Sequence, residues 1–275
     1  MAKSNTPARS AKIATEALET LFTGRQVPTF SSRYADFTLP EAYDVAERIR
    51  QARERRGETS IGRKIGFTNR AVWSDFGISG PIWGYLYDST VRNLPETGEA
   101  FSLTGLAEPR IEPELVLHLS TAPQSTMNDH ELTGCIDWMA HGFEIVHSIF
   151  PRWSFTAADA VAAFGVHGAL LLGERHPLSE DGSRGAELRS DFSVELRREG
   201  APVSRGKGRD VLGGPVQALR FLVEELERNP AMPPLRPGET ITTGTLTQAM
   251  PVSPGETWTT ALVGIKLDGL HLELR

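Results

Sequence analysis

The sequence predicts an α+β protein: a helical N-terminal subdomain over residues 1–60 and a β-rich body over residues 61–275. Three observations predict it. Apolar residues recur at helical spacing within the first sixty positions. After Gly57 that spacing breaks up, and glycines, prolines and β-branched residues punctuate short apolar runs, as in strands joined by turns. Two matching turns, Pro237-Gly238-Glu239-Thr240 and Pro254-Gly255-Glu256-Thr257, each lead into an apolar, β-branched segment.

Taken in order, residues 8–23 place Ile13, Ala17, Leu18, Leu21 and Phe22 along one helical stripe. Thr38-Leu39-Pro40-Glu41 opens a second helix, with Thr38 as N-cap and proline in the first turn. Its stripe is Ala42, Val45, Ala46 and Ile49, and its charged end, Arg53-Glu54-Arg55-Arg56-Gly57, reads as a solvated terminus. Strands are expected at Gly62–Thr68, Arg110–Leu119, Phe143–Ser148, Gly168–Gly173, Phe192–Arg198, Thr240–Thr245, Thr257–Leu262 and Gly264–Leu274. A helix over Met127–Ala140, capped by Ser125 or Thr126, and another from Pro215 with Val216, Leu219, Leu222 and Val223 on one side interrupt them.

Bulk properties narrow the function. The 275 residues are 39% hydrophobic and 23% charged, an ordinary globular balance. A net charge of -6 and a pI near 5.7 argue against a nucleic-acid binder, which carries a basic face. The single cysteine, Cys135, rules out an internal disulfide and fits a reducing, cytoplasmic setting. No apolar run is long enough to span a bilayer, and Met1–Pro7 lacks the apolar core of a signal peptide, so no membrane partner is expected.

The most informative stretch is Arg110-Ile111-Glu112-Pro113-Glu114. In a strand, Arg110, Glu112 and Glu114 share one face while Ile111, Leu115 and Leu117 take the other. The two carboxylates then stand roughly 7 Å apart along the strand, and such a pair of anions calls for a compensating positive charge. Glu144, inside the apolar run Gly142–His147, is costly to bury unless paired or metal-bound. Glu112, Glu114 and Glu144 together offer three hard oxygen ligands, suited to Mg²⁺ or Mn²⁺. The alternative is that Glu112 and Glu114 face solvent and Glu144 pairs with an arginine.

Lys64, in the glycine-bracketed run Gly62–Thr68, is either a surface lysine or a proton carrier whose pKa is lowered near a cation or in a desolvated pocket. Asp88, after Trp83-Gly84-Tyr85-Leu86-Tyr87, either orients a water or stays a turn residue. Gly244, within Thr242–Thr247, lets backbone and hydroxyls approach an anion. His147 reads as a satisfied structural histidine, and the remaining histidines show no metal-ligand spacing.

Several segments together resemble one family. Lys64–Thr68, Gly84–Asp88, Arg110–Glu114, Phe143–Val146, Leu212–Pro215 and Thr243–Leu246 occur in the order seen in the fumarylacetoacetate hydrolase superfamily. The match is nearest to its 2-oxopent-4-enoate hydratase and 2-oxo-3-hexenedioate (4-oxalocrotonate) decarboxylase branch. The resemblance implies a mixed β-sandwich or roll of the family's C-terminal type, behind a helical N-terminal part. It also implies Mg²⁺ or Mn²⁺ held by Glu112, Glu114 and Glu144. Lys64 and Asp88 would be the catalytic groups, with Leu86, Gly244 and Thr245 against a small 2-oxo acid substrate. The chain departs from the pattern at His147, at Ala163-Phe164 and at Thr245.

The function expected is therefore a metal-dependent lyase, hydratase or decarboxylase, in aromatic catabolism. Two rivals are a hydrolase of acylpyruvate-like substrates and a metal-binding partner subunit of a hydratase–decarboxylase complex. The hydrolase needs a water-activating histidine on the N-terminal side, and none precedes His118. A homo-oligomer is implied by the family alone.

Overall fold

The first sixty residues fold as their spacing predicts. Helix α1 (Thr6–Thr20) buries Ile13, Ala14 and Ala17, and α2 (Leu39–Arg55) buries Ala42, Val45, Ala46 and Ile49. Thr38 caps α2 by accepting the Glu41 N–H, and Pro40 lies in the first turn, where its missing N–H costs nothing. Arg9 clamps the two helices by donating hydrogen bonds of 2.6 and 2.5 Å to buried Glu41. Phe22 departs from its expected stripe. It falls past the end of α1, at φ +55° and 43% exposed, where helical periodicity no longer sets its direction.

The computed structural model describes residues 6–70, 73–76, 78, 80–94, 100–179, 184–229 and 231–275. The first five positions, on which the expectation of no signal peptide largely rests, lie outside the described residues. Thirteen strands follow the helices among the described residues. They are β1 (Ser60–Gly66), β2 (Ile82–Tyr87), β3 (Val91–Asn93), β4 (Ala100–Phe101), β5 (Arg110–Leu119), β6 (Ile136–Val146) and β7 (His167–Pro177). Then come β8 (Ser193–Arg198), β9 (Ala201–Lys207), β10 (Thr240–Thr245), β11 (Met250–Pro251), β12 (Thr257–Val263) and β13 (His271–Leu274).

They form two mixed sheets. The larger has the order β2-β1-β10-β5-β6-β7-β3, with β11 also on β5; the smaller has β4-β13-β12-β8-β9. Ile111, Phe143, Ile145 and Leu171 of the larger sheet meet Leu196, Trp258, Leu272 and Leu274 of the smaller one in a sandwich core. Elsewhere the larger sheet packs on helices: Ile65, Trp83, Leu115 and Leu117 share one cluster with Ile13, Val45, Ile49 and Leu219. The N-terminal helices thus have no separate core; they form a layer on the sheet. This agrees with the mixed-sheet architecture implied by the resemblance.

Strand β5 changes partner midway. It pairs with β10 from His118 to Glu114, across a register shift between Thr242 and Thr245; Ile111 and Arg110 then pair with Met250 and Pro251 of β11. The changeover falls at Pro113, which has no N–H to offer a neighbour.

The helix expected over Met127–Ala140 is a correction. Only α3 (Asp129–Gly134) forms, capped by Asn128 in a reciprocal box with Glu131. Cys135 ends it instead of sitting within it, and the apolar run from Ile136 is the first half of β6. Such a run carries no period to separate a covered strand from a buried helix. For the same reason Ile82–Tyr87, absent from the strands expected, is strand β2, buried along its length. Two further helices are α4 (Ala157–Ala162) and α5 (Pro215–Arg228), the latter beginning at the proline expected to start it. Among the described residues no helix is long and apolar enough to cross a membrane.

Candidate metal centre

Antiparallel pairing of β5 and β6 sets Glu112 directly opposite Glu144, and Glu114 opposite Gly142. Because side chains alternate, the three carboxylates leave the sheet on the face away from Ile111, Phe143 and Ile145. One oxygen from each lies within 4.8 Å of the others. Glu114 and Glu144 are fully buried and Glu112 is partly so. The solvent-facing and arginine-paired alternatives for these residues therefore fail.

Each ligand is held in place. Gly244 N–H donates to Glu114 Oε2 at 2.7 Å from a backbone at φ +96°; a Cβ there would stand 2.1 Å from Thr68 Oγ1, so only glycine fits. Glu144 Oε1 lies 2.8 Å from His167 Nδ1, and His167 Nε2 lies 2.9 Å from Thr90 Oγ1. Glu114 Oε1 and Glu144 Oε2 are buried with no hydrogen-bond partner among the described residues. A buried carboxylate oxygen without a partner and a second met only by an ammonium at 3.4 Å, beside a third carboxylate, are hard donors that fit a divalent cation of the Mg²⁺ or Mn²⁺ kind.

The electrostatics agree. Burial, with Glu144 close by, pushes Glu112 up to about 7 and holds Glu114 well above the ordinary carboxylate range. Burial works on Glu144 too, but Lys64 and His167 outweigh it and bring it down to about 2. Three anions so close share protons unless a cation replaces them.

Lys64 stands at the edge of this cluster, 2% exposed, its Nζ 3.4 Å from Glu144 Oε2. With no cation on the glutamates, burial lowers its pKa but Glu144, Glu112 and Glu114 together hold the ammonium above its ordinary value. Its stem packs against Gly165, where a Cβ would come within 3.3 Å of Cδ. Gly165 lies between Phe164 and Val166, and all three have positive φ, near +60°. For β-branched Val166 that backbone is an outlier, of the strained kind that gathers at functional sites.

A cavity of about 1040 Å³ opens over Lys64 and Glu112. Phe67, Ile82, Trp153, Phe155, Val166 and Thr245 form part of its wall, so Thr245 is where the sequence put it. Three other expected residues are not on that wall. Leu86 is fully buried in a small cluster with Val116, Ala140, Leu170 and Leu172, and cannot meet a substrate. Gly244 does approach an anion, but that anion is Glu114 itself. Asp88 accepts from Thr59 N–H at 3.0 Å and is a turn residue. In the β1–β2 register Lys64 faces Gly84, which leaves Asp88 roughly 13 Å farther along the strand.

His147, expected to be satisfied, has no partner at either ring nitrogen among the described residues, and burial pushes it down to about 4. Asp159 forms the reciprocal cap of α4 with Thr156 and accepts from Ser31 N–H, a helix-capping role. The residue that sequence reasoning missed is His167. Its only sequence signal is a histidine in an apolar segment, and its partners Glu144 and Thr90 are 23 and 77 positions away.

Comparison with known proteins follows this geometry. The chain is 29% identical over 252 residues to 2-hydroxyhexa-2,4-dienoate hydratase of Comamonas testosteroni, covering 90% of this chain and 91% of the relative. It is 29% identical over 242 residues to 4-oxalocrotonate decarboxylase of Pseudomonas sp. (strain CF600), covering 87% of each. Its fold matches the 4-oxalocrotonate decarboxylase of Pseudomonas putida G7, solved with magnesium and adipate, at TM-score 0.84 and 23% identity over 100% of this chain and 99% of that one. The fumarylacetoacetate hydrolase C-terminal family model matches residues 90–267. Two thirds of the chain, including all three glutamates, thus fall within that match, and the chain belongs to the fumarylacetoacetate hydrolase C-terminal family.

Proposed function

We propose that this chain is a divalent-metal-dependent lyase acting on a small unsaturated 2-oxo acid, as the hydratase and decarboxylase relatives are named for doing. The observation that carries it is the convergence of Glu112, Glu114 and Glu144 beside a buried ammonium, with Glu112 and Lys64 lining a cavity. A divalent cation held by these carboxylates supplies positive charge to the carboxylate and 2-oxo oxygens of such an acid as negative charge builds there.

The chain's own residues do the rest. Lys64 Nζ, fixed between Glu144 and the Gly165 turn, carries the proton to and from the substrate's carbon chain. Positive charge on the glutamates offsets what holds the lysine's pKa up and leaves burial, which lowers it, in command. Phe67, Ile82, Phe155 and Val166 keep bulk water from the reacting atoms. With Asp88 remote, Lys64 is the proton carrier we assign.

The hydrolase rival loses its main support, since no histidine lines the cavity among the described residues. A cytoplasmic setting is inferred from the lone buried cysteine, and a homo-oligomer, with or without a sister hydratase or decarboxylase, from the family. The test is turnover of 2-hydroxypenta-2,4-dienoate, 2-oxo-3-hexenedioate and acylpyruvates with Mg²⁺ or Mn²⁺, before and after EDTA. Turnover of either of the first two, lost with EDTA and in Glu112→Ala, is expected. Turnover of acylpyruvates alone would overturn the lyase.

A further inference from the structure

Glu112 and Lys64 line the cavity, and arginines supply most of the charge on the rest of its wall. Arg70, Arg110 and Arg209 line it, and none of the three is ion-paired with a carboxylate among the described residues. Arg205, on the same wall, is paired with Glu195, and Asp210 is the carboxylate that borders these arginines. Three unmatched guanidiniums on one cavity wall mark a place prepared for an anion.

Arg110 is the best placed. It lies on β5 two residues before Glu112 and on the same face, so it stands about 7 Å along the strand, roughly the length of a six-carbon acid. Its Cζ sits 4.3 Å over the Trp153 ring, and that ring is anchored by Nε1 donating to the Glu108 carbonyl at 2.9 Å. Stacking uses the flat face of a guanidinium and leaves its edge N–H donors available. A carboxylate meets that edge with two parallel hydrogen bonds. An apolar tail would instead desolvate the donors without pairing them, a penalised outcome.

We propose that the cavity's far end binds a second anionic group, a carboxylate at the remote end of the 2-oxo acid. Arg110 reads it, and Arg209 and Arg70 supply the surrounding field. The substrate is then a dicarboxylate, not a 2-oxo acid ending in an alkyl or vinyl group. The proposal rests on the metal-centre reading above, which fixes the other end of the substrate.

Isothermal titration of the Mg²⁺-loaded protein tests it with two unreactive acids of equal length, 2-oxoadipate and 2-oxohexanoate, which differ only at the last carbon. The expected result is 2-oxoadipate binding about tenfold tighter or more, the preference shrinking as salt rises. In Arg110→Gln the ratio of the two affinities is expected to fall to within about threefold. Arg209→Gln, which changes an exposed side chain, lowers the same ratio by a smaller factor and serves if the first variant does not fold. Equal affinities in the unaltered protein, or a ratio unmoved in both variants, would overturn the dicarboxylate reading alone. Failure of both acids to bind overturns the metal-centre reading as well.

Discussion

Two antiparallel strand pairs, one in each sheet, place a glutamate in comparable positions and treat it in opposite ways. In the smaller sheet Glu195 of β8 faces Arg205 of β9, with Arg197 also in contact, and these bonds of 2.6 and 2.7 Å hold its carboxyl below its ordinary range. In the larger sheet Glu112 of β5 faces Glu144 of β6, with Glu114 two residues on, and burial drives Glu112 and Glu114 upward. Like charges directly across a ladder oppose folding, whereas unlike charges support it a little. The first pair satisfies itself within the chain. The second is completed only by something positive from outside it, and that difference separates a structural ion pair from a binding site.

The hardest way to break the contrast is to remove its central ligand. Glu144→Ala is expected to lower turnover by about a thousandfold or more, the scale of losing metal-ion catalysis, and to abolish Mg²⁺ binding by titration. Lys64→Met comes next, with kcat down about a hundredfold to ten-thousandfold while Mg²⁺ still binds. Loss of Mg²⁺ binding in that variant would make the lysine a structural partner of Glu144 and nothing more.

The pH dependence of stability sharpens the comparison from another side. Between pH 5 and 7 the folded protein without cation holds protons on Glu112 and Glu114 that the unfolded chain has given up, a contribution that weakens folding as pH rises. Buried His141, His147 and His167, whose pKa values are lowered, oppose it, because the unfolded chain carries their protons in the same window. Cation binding isolates the glutamates, since it must displace their protons: the rise in melting temperature on adding Mg²⁺ is expected to be larger at pH 7 than at pH 5. An equal rise at both pH values would contradict it. A smaller effect is expected of His167→Ala, which frees Glu144 Oε1: about tenfold weaker cation binding, in keeping with outer-sphere partners of metal ligands. Smallest is Arg197→Gln in the other sheet, which removes one of two arginines on a surface glutamate and is expected to leave the chemical denaturation midpoint almost unchanged.

How much of this was legible in the chain depended on whether the signal was local. β5 and β10 occupy the residues their alternation and turns predicted, Arg110–Leu119 and Thr240–Thr245. The three glutamates could be singled out because a carboxylate in an apolar strand is conspicuous by itself. Ile82–Tyr87 and Ile136–Ala140 were misread because strands covered on both faces lose the period of two. Asp88 and Leu86 were placed on the site by the resemblance; in the β1–β2 pair one is carried to the far end and the other turned into the core. His167 and the arginine wall were invisible for the converse reason. Arg70, Arg110 and Arg209 come from three distant segments, and only the fold assembles them.

Pro113 has a consequence for how such a protein can be altered. By withholding an N–H in the middle of a central strand, it lets β10 part from β5 and leaves Gln248 and Ala249 to border the cavity before β11 rejoins. Those two residues belong to neither ladder, while Glu112 and Glu114, on either side of the proline, are fixed by the pairing with β6. The short crossing from Gln248 to Ala249 can therefore be exchanged or lengthened to reshape the cavity border while the pairing that fixes the carboxylates, and Arg110 beside them, stays in place.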